Sequence, residues 1–313
     1  MGFASVLLTI FTVVQLKCEN LFDCAHDSLK DDTEFLPSSA RHYTMRRYWD
    51  KLSKISKEIS WCGCNDKDFH LPDIITLCEV ENDSVLTYLT RRSSLRTARY
   101  GYVATSSPDL RGIDVAVLYN PSTFLPLSHS SISVTPLEGM RPTRDILHVE
   151  GITQHGDTLH VFAVHMPSKY GGDAITRPFR AHVAQRLCAA VDSIRDISPD
   201  ADIIISGDFN DDASSTAVRM IESAGFTNIS AGAEGSHGAR ATYKYKGLWQ
   251  SIDHILVTSR LLSHLKYCEI KDAPFLLEKD NVYGGCKPKR FWNGYRYNKG
   301  FSDHLPLKAE FDF

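Results

Sequence analysis

The stretch that decides the fold is ADIIISGDFND, residues 201–211, in which a run of β-branched residues ends in Gly207, Asp208 and Asn210. A short run of this composition predicts a buried β-strand. Polar residues that follow a strand directly collect at one edge of a sheet, where binding and catalytic sites form. The stretch SDHLPL, residues 302–307, places an acid and an imidazole near the end of the chain. These two stretches predict a polar site at a sheet edge.

The same pattern recurs along the chain, where other short apolar runs have acids, amides or imidazoles close by. A single Asp or Asn after a strand usually serves a turn or a helix cap. Six such clusters in one chain are more than capping explains, and they favour a common site. The predicted strands are 11–16, 74–78, 114–119, 159–165, 202–206 and 252–257.

Helical periodicity is less frequent than strand patterning, and residues 120–158 are broken by Pro and Gly without a sustained helical period. We therefore expect an α/β (α+β) fold with mixed sheets. No repeat or linker divides the chain, so the prediction is one domain over residues 1–313. The predicted helices are 47–61, 179–195 and a third from Ser214 or Ser215 to Ala224.

Composition excludes several classes of protein. The chain has 313 residues and a formal net charge of -3, so no global basic field holds it to nucleic acid or an anionic membrane. Residues 1–10 are either a signal remnant or the start of the first strand, and strand propensity favours the strand. A cytoplasmic location is weakly favoured, with secretion or a periplasmic location open if a signal was trimmed. The eight cysteines are irregularly spaced, which favours free thiols over zinc or disulfides.

The polar residues near the strands are mostly hard oxygen donors, which suit Mg²⁺ or Mn²⁺ rather than zinc. The sequence contains no glycine-rich phosphate loop with lysine and no GxSxG nucleophile motif. For a hydrolase, an activated water therefore remains as the nucleophile. The oxygen donors are Asn20, Glu79, Asp208, Asn210, Asp253 and Asp303.

In its ordered motifs the sequence resembles the endonuclease/exonuclease/phosphatase superfamily, which includes deoxyribonuclease I and the exonuclease III type enzymes. The resemblance covers nearly the whole chain and implies a four-layer αββα sandwich of two packed mixed β-sheets. It also implies a Mg²⁺- or Mn²⁺-dependent hydrolase of phosphate esters. The motifs are CENLFD at 18–23, LCEVEN at 77–82, RGIDVAVLY at 111–119, TRDILHV at 143–149, HMPS at 165–168, GDFND at 207–211, SIDHILV at 251–257 and SDHLPL at 302–307.

The resemblance implies a role for each motif residue. A metal ion would lie on Glu79, Asp208 would activate the water, and His304, held by Asp253, would bind the phosphate. The implied metal ligands are Asn20, Glu79 and Asp303. The implied catalytic residues are His165, Asp208, Asn210, Asp253 and His304, and Arg144 is implied as a phosphate ligand.

Further phosphate ligands are expected from basic residues near these motifs. Lys169 and Arg177 follow the HMPS motif, and Arg296 lies in CKPKRFWNGYRYNKG, residues 286–300. This loop has five basic residues and four aromatics and is either a substrate loop or a solvated loop whose aromatics turn into the core. Two other roles are open. Glu81 competes with Glu79 as the ligand, and alternation along an extended segment would place the two on the same face. Asp114 either joins the site or bonds to nearby groups such as Arg111.

Three functions fit this set of residues. The first is a phosphodiesterase, with a nuclease acting on DNA or RNA favoured. The second is a phosphatase or phosphodiesterase acting on a small molecule, an inositol phosphate or a lipid headgroup. The third is a non-catalytic binding protein on the same fold, which the retained acids disfavour. The expected partner is a phosphate-ester substrate, with no stable membrane insertion and no protein partner.

Overall fold

The computed structural model describes residues 10–64 and 69–313. Residues 1–9, on which most of the signal-or-strand prediction rests, lie outside the described residues. The strands are β1 (Ile10–Leu21), β2 (Ile74–Val80), β3 (Gly101–Ala104), β4 (Asp114–Tyr119), β5 (Phe124–Ile132), β6 (Ile146–Thr153), β7 (Thr158–His165), β8 (Asp202–Asp208), β9 (Phe226–Asn228), β10 (Tyr243–Tyr245), β11 (Leu248–Gln250), β12 (Asp253–Thr258), β13 (Leu265–Ile270), β14 (Leu277–Lys279), β15 (Cys286–Pro288), β16 (Trp292–Asn293), β17 (Arg296–Tyr297) and β18 (Leu307–Asp312).

Helices separate some of these strands, and short 3₁₀ turns lie at Thr33–Phe35, Ser94–Thr97 and Pro274–Leu276. The predicted second helix begins six residues earlier than expected and continues through Pro178. Asn82 caps another helix, which the sequence pattern did not predict, by accepting a hydrogen bond from the Val85 backbone. The helices are α1 (Met45–Cys62), α2 (Asp83–Arg91), α3 (Asp173–Arg195), α4 (Thr216–Ser223) and α5 (Ser259–Leu262).

Twelve of the strands form two six-stranded mixed sheets, and the other six form the two-stranded pairs β10-β11, β14-β15 and β16-β17. The first has the order β13-β18-β1-β2-β4-β3, and the second has the order β5-β6-β7-β8-β12-β9. Within the sheets, β1 pairs with β2 and β7 pairs with β8 in parallel, whereas the other neighbours are antiparallel. The stretch 120–158 holds the β5–β6 hairpin, in agreement with its lack of helical period.

Three apolar clusters define the layers. One cluster combines residues of both sheets, such as Val13 and Ile204, and therefore lies between them. A second joins the first sheet to α1, with Leu52 and Ile59 among its members. The third joins the second sheet to α3 and α4 and includes Leu187. The layer order is helix, sheet, sheet, helix, so the predicted αββα sandwich is confirmed.

Two further sequence predictions concern thiols and membranes. All eight cysteines are free thiols, as expected. Among residues 10–64 and 69–313, the helices are all too short or too polar to cross a membrane.

Candidate functional site

The second sheet brings three predicted site residues into one row. The parallel register of β7 and β8 places His165 opposite Asp208, and the antiparallel register of β8 and β12 places Asp253 opposite Asp208. The three side chains are buried. His165 Nε2 lies 3.5 Å from Asp208 Oδ2. Adjacent strand ends thus hold two carboxylates and an imidazole side by side.

Gly207 allows β8 to lie close to β7 at this end of the sheet. Its φ of 156° is in the region that L side chains rarely adopt, and a Cβ atom there would lie 1.9 Å from the Val164 carbonyl oxygen. After it, Asn210 has a left-handed backbone with φ 52°. Asn210 donates its backbone N–H to Asp208 Oδ1 at 2.8 Å and its side-chain amide to the Met166 carbonyl at 2.9 Å. One Asp208 oxygen is therefore held by the turn of the chain.

The other oxygen of Asp208 is buried, and the described residues provide no hydrogen-bond partner for it. Burial raises the pKa of the Asp208 carboxyl above its usual value, and the Asp253 charge contributes in the same direction. An unpaired buried acceptor is costly unless it has a ligand or water to bind. Asp208 therefore presents a free acceptor to whatever enters the site.

Asp253 holds His304 in place. Its Oδ2 lies 2.6 Å from His304 Nδ1 and also accepts from the Thr242 hydroxyl, while its Oδ1 accepts from Gln15 Nε2 at 2.9 Å. Although burial opposes a charged imidazole, the Asp253 carboxylate raises the pKa of His304 above the usual histidine value. The ring of Tyr243 packs on that of His304 at 4.8 Å between centroids. His304 is therefore fixed in orientation and favoured in its cationic form.

His165 has the opposite electrostatic environment. Burial lowers the pKa of its imidazole well below the usual value, and the positive charge of Arg144 adds to this effect. Its Nδ1 is buried, with no hydrogen-bond partner within the described part of the chain. At neutral pH, His165 is therefore a neutral donor beside Asp208, whereas His304 carries the charge.

Backbone bulges aim Glu79 at this row from the first sheet. The register of β2 shifts between Cys78 and Val80, and Glu79 has a left-handed backbone with φ 63°. The bulge breaks the alternation of the strand. Glu79 therefore lines the pocket, whereas Glu81 accepts from the Asp23 backbone at 2.7 Å. The expectation that alternation places the two glutamates on one face is wrong for this reason.

Lys17 lies between Glu79 and Asp303. It belongs to β1, which sits in the middle of the first sheet, and its side chain is 8% exposed. Its Nζ lies 3.1 Å from Glu79 Oε1 and 3.2 Å from Asp303 Oδ1. Burial alone would lower the pKa of Lys17, but the charges of Asp303 and Glu79 raise it well above the ordinary lysine value. The two carboxylates thus enclose an ammonium group.

These side chains surround a cavity of about 540 Å³. Lys169 lines it, with Nζ 3.1 Å from Asp211, and Arg111 lines it with a half-exposed side chain. Tyr170 and Tyr245 line the same cavity and are largely exposed, at 83% and 51%. The cavity therefore offers cations at its wall and aromatic rings at its rim. The predicted site residues that line it are Glu79, His165, Lys169, Asp208, Asn210, Asp303 and His304.

Five predicted residues do not line the cavity. Arg144 is buried and uses its guanidinium on the His165 carbonyl, the Met166 carbonyl and Asp109, at 2.7–3.1 Å. It therefore supports the strand end that carries His165 and is not free to bind a phosphate. Asn20 points its backbone N–H at Glu79 Oε2, at 3.0 Å.

The other three are two exposed arginines and Asp253. Arg177 pairs with Asp173 on the surface of α3, and Arg296 is exposed in the β16–β17 hairpin. Asp253 lies behind His304 instead of lining the cavity itself.

The basic loop, residues 286–300, contributes two of its aromatic side chains to the core. Phe291 and Trp292 are buried in the cluster between the first sheet and its helices, so these aromatics turn into the core. Arg290 Nη2 contacts Asp303 Oδ2 at 3.2 Å, which places the loop beside the site. The cavity lining includes no residue of 286–300. The substrate-loop interpretation is therefore wrong for Phe291 and Trp292, whose rings pack in the core, whereas Tyr295 is exposed.

Asp114 also lies outside the cavity lining. It accepts from Ser107 and Thr105 and braces the turn before β4, and it does not pair with Arg111. Sequence reasoning missed Lys17, for which the signal was a charged residue inside an otherwise apolar strand run. It also missed Tyr243 and Tyr245, which belong to a strand of three residues.

A family model described as Endonuclease/Exonuclease/phosphatase family matches residues 12–312. The chain belongs to the endonuclease/exonuclease/phosphatase family. This confirms the resemblance inferred from the motifs. No curated protein sequence matches the chain at a significant level.

Solved structures of endonuclease/exonuclease/phosphatase type share the fold. A family protein from Bacteroides thetaiotaomicron is 18% identical with a TM-score of 0.63, covering 98% of each chain. TDP2 from Caenorhabditis elegans is 15% identical with a TM-score of 0.59, covering 97% of this chain and 75% of that one. The human Nocturnin catalytic domain with bound sulfate anion is 14% identical with a TM-score of 0.57, covering 96% and 94%. At this identity the likeness shows the fold.

The endonuclease/exonuclease/phosphatase family generally uses divalent metal ions. The site contains an acid–histidine cluster that could hold such an ion. Asp208, Asp253 and His304 bring ligand atoms within 4.8 Å of one another, a spacing that can hold an ion. However, Asp253 and His304 Nδ1 are already hydrogen-bonded to each other. The predicted position between Glu79 and Asp303 holds the Lys17 ammonium. As packed, these residues do not fit a divalent ion at that position.

Proposed function

We propose that this protein is a phosphoesterase that hydrolyses phosphodiester bonds by in-line attack of an activated water, with nucleic acid as the favoured substrate. The observation that carries the proposal is the buried, unpaired Oδ2 of Asp208 beside a histidine that Asp253 holds. This pairing supplies a base and a cationic donor in one cavity. Family membership supports the same class of reaction.

In the proposed reaction, the phosphate enters between the two imidazoles. Protonated His304 donates to a phosphate oxygen, and neutral His165 donates a second hydrogen bond. Asp208 orients the water and takes its proton as the water oxygen bonds to phosphorus. The bond from phosphorus to the leaving oxygen breaks, and that oxygen takes a proton from solvent. Asn210 keeps the other Asp208 oxygen occupied, so the free oxygen faces the water.

The rim of the cavity supports a nucleotide-containing substrate. Exposed Tyr170 and Tyr245 offer flat faces on which bases stack. Lys169 and Arg111 lie where they could meet flanking phosphates. A single-stranded or frayed end fits this arrangement better than an intact duplex, because a base must leave its stack to reach a tyrosine.

A small phosphate ester is the second candidate. A cavity of about 540 Å³ has the size of a small-molecule site, and a net charge of -3 does not favour long contacts with nucleic acid. An inositol phosphate or a nucleotide monoester would use the same acids and imidazoles.

The experiment is a substrate panel for the purified protein. It comprises bis-p-nitrophenyl phosphate, p-nitrophenyl phosphate, single-stranded and duplex DNA, RNA and inositol phosphates, each with Mg²⁺, Mn²⁺ or EDTA. We expect diester cleavage, and loss of at least about 100-fold in kcat for Asp208→Asn and His304→Ala. The matched control is Asp192→Asn, an exposed aspartate of α3, which should keep wild-type turnover.

The outcomes separate the candidates. Faster cleavage of single strands than of duplex supports the proposed nuclease. Turnover of monoesters alone moves the assignment to a phosphatase. Turnover that survives both Asp208→Asn and His304→Ala contradicts the proposed roles.

A further inference from the structure

Each carboxylate oxygen of Glu79 and Asp303 has a donor within the chain itself. Glu79 Oε1 contacts Lys17 Nζ at 3.1 Å, and Glu79 Oε2 accepts from the Asn20 backbone at 3.0 Å. Asp303 Oδ1 contacts Lys17 Nζ at 3.2 Å, and Asp303 Oδ2 accepts from Arg290 at 3.2 Å. All four oxygens thus have a donor. A metal ion that bridges the two carboxylates would have to displace the Lys17 ammonium, which lies between them.

The position of Lys17 follows from the strand that carries it. Along β1, Val13 packs between the two sheets and Gln15 reaches across to Asp253. Strand alternation places Lys17 on the same face. The Ser302 hydroxyl donates to the Lys17 carbonyl, which ties this strand to the loop that carries Asp303. Because the Lys17 side chain is only 8% exposed, it is held between the sheets and does not extend into bulk solvent.

A lysine between two carboxylates carries one fixed positive charge. A divalent ion on the same oxygens would lie close to that charge, and the repulsion would be poorly screened in a buried site. The ammonium also lines the substrate cavity beside Asp208 and His304. It is therefore placed to meet the negative charge of a phosphate.

We propose that the Lys17 ammonium takes the place of a divalent ion between Glu79 and Asp303, so that the protein binds and cleaves its phosphate ester without a metal at that position. The catalytic part of this inference rests on the proposed phosphoesterase function. Its metal-binding part does not, since it concerns the occupancy of two carboxylates.

The first test measures metal binding without any substrate. Mn²⁺ is titrated into wild-type protein, Lys17→Ala and Lys17→Arg and followed by electron paramagnetic resonance. We expect no site in wild type or Lys17→Arg. We expect one bound Mn²⁺ in Lys17→Ala, because two freed carboxylates and an opened space suit a hard cation. Its affinity should be at least about tenfold higher than that of any Mn²⁺ binding by the wild-type protein. The melting temperature of Lys17→Ala should also rise with Mn²⁺.

The matched control is Lys244→Ala. Lys244 forms an equally buried pair with Asp280, at 3.0 Å with both side chains 5% exposed, but with a single carboxylate. Its removal should create no Mn²⁺ site. If Lys17→Ala does not fold, the wild-type protein and Glu79→Gln decide. A wild-type Mn²⁺ site that Glu79→Gln abolishes overturns the inference and leaves the phosphoesterase proposal intact.

The second test measures turnover of bis-p-nitrophenyl phosphate. Wild-type turnover in EDTA and in Mg²⁺ should agree within about twofold. In EDTA, the turnover of Lys17→Ala should be about 100-fold lower than that of wild type, the usual effect of losing one donor that stabilises the developing charge. Wild-type activity that EDTA abolishes and Mg²⁺ restores overturns the inference. If no substrate is cleaved, the phosphoesterase proposal fails, and the Mn²⁺ titration still decides the occupancy of the carboxylates.

Discussion

Glu58 is a carboxyl group that folding buries without a partner. It lies in α1 and is 1% exposed, and the described residues offer neither of its oxygens a hydrogen bond. Burial raises the pKa of Glu58 from 4.5 to about 8, despite the nearby charge of Lys51. The folded protein therefore keeps Glu58 protonated at pH values where the unfolded chain ionises it. Between these two pKa values the unfolded state binds fewer protons, so stability falls as pH rises.

The magnitude follows from the same numbers. The difference between 4.5 and about 8, at about 1.4 kcal/mol per pH unit, corresponds to about 5 kcal/mol. We expect Glu58→Gln, which is neutral at every pH, to match wild type near pH 4.5. It should be more stable by up to about 5 kcal/mol above pH 8. This effect is a large share of the total stability of an ordinary domain.

The assay is urea unfolding of both proteins at several pH values from 4.5 to 9. Other buried carboxyls also titrate, so the quantity to measure is the difference between wild type and Glu58→Gln at each pH. Glu138→Gln is the matched control, because Glu138 is exposed and its removal should leave the pH profile unchanged. Parallel profiles for wild type and Glu58→Gln would refute the reasoning.

Three other predictions concern the site. Asp253→Asn should lower the pKa of His304 and reduce kcat by about 100-fold, because the buried charged partner of the imidazole is lost. NMR titration of the imidazole and diester turnover measure these two effects, and an unchanged His304 pKa would contradict the prediction. Gly207→Ala should lower the free energy of unfolding by about 3 kcal/mol, since its Cβ would meet a backbone carbonyl; urea unfolding measures it, and a wild-type value argues against the clash. Lys169→Ala should raise KM about tenfold, whereas Arg177→Ala, which lies outside the cavity, should leave KM unchanged. Steady-state kinetics measure both values, and an equal change in KM for the two variants would contradict this placement.

The sequence predicted the central strands well because both faces of those strands are buried. Runs such as Asp202–Asp208 are apolar throughout most of their length and short, so they admit few alternatives. The edge strand Phe124–Ile132 was not predicted, since most of its side chains are exposed, Leu125 and Leu127 among them, and its apolar residues follow no buried face. Helix Asp83–Arg91 is only nine residues long, too short for a clear periodic signal.

The position of a site residue was predictable where a sequence motif fixes the backbone. The direction in which its side chain points was less predictable. GDFND predicted the place of Asp208, because the strand end and the turn follow directly from the residues. The side-chain direction of Glu79 depends on a bulge that periodicity does not encode. The motif resemblance implied that Arg144 binds the substrate phosphate. Its actual partners, the backbone carbonyls of His165 and Met166, are brought to it by tertiary structure and cannot be read from the sequence. The position of Lys17 in the site depends on contacts with Glu79 and with Asp303, which lies 286 residues away, and such contacts are not visible in a local sequence pattern.

That separation has a consequence for synthesis on the ribosome. Strand β1 leaves the ribosome long before its partner β18 (Leu307–Asp312), because most of the described chain lies between them. Until then, β1 lacks one of its two neighbours in the sheet, and the positive charge of Lys17 lacks Asp303. Contacts of such sequence separation form slowly, since the intervening chain must be in place first. A nascent chain that has not yet reached β18 therefore carries an unpaired edge on β1, and such an edge is open to pairing with other chains.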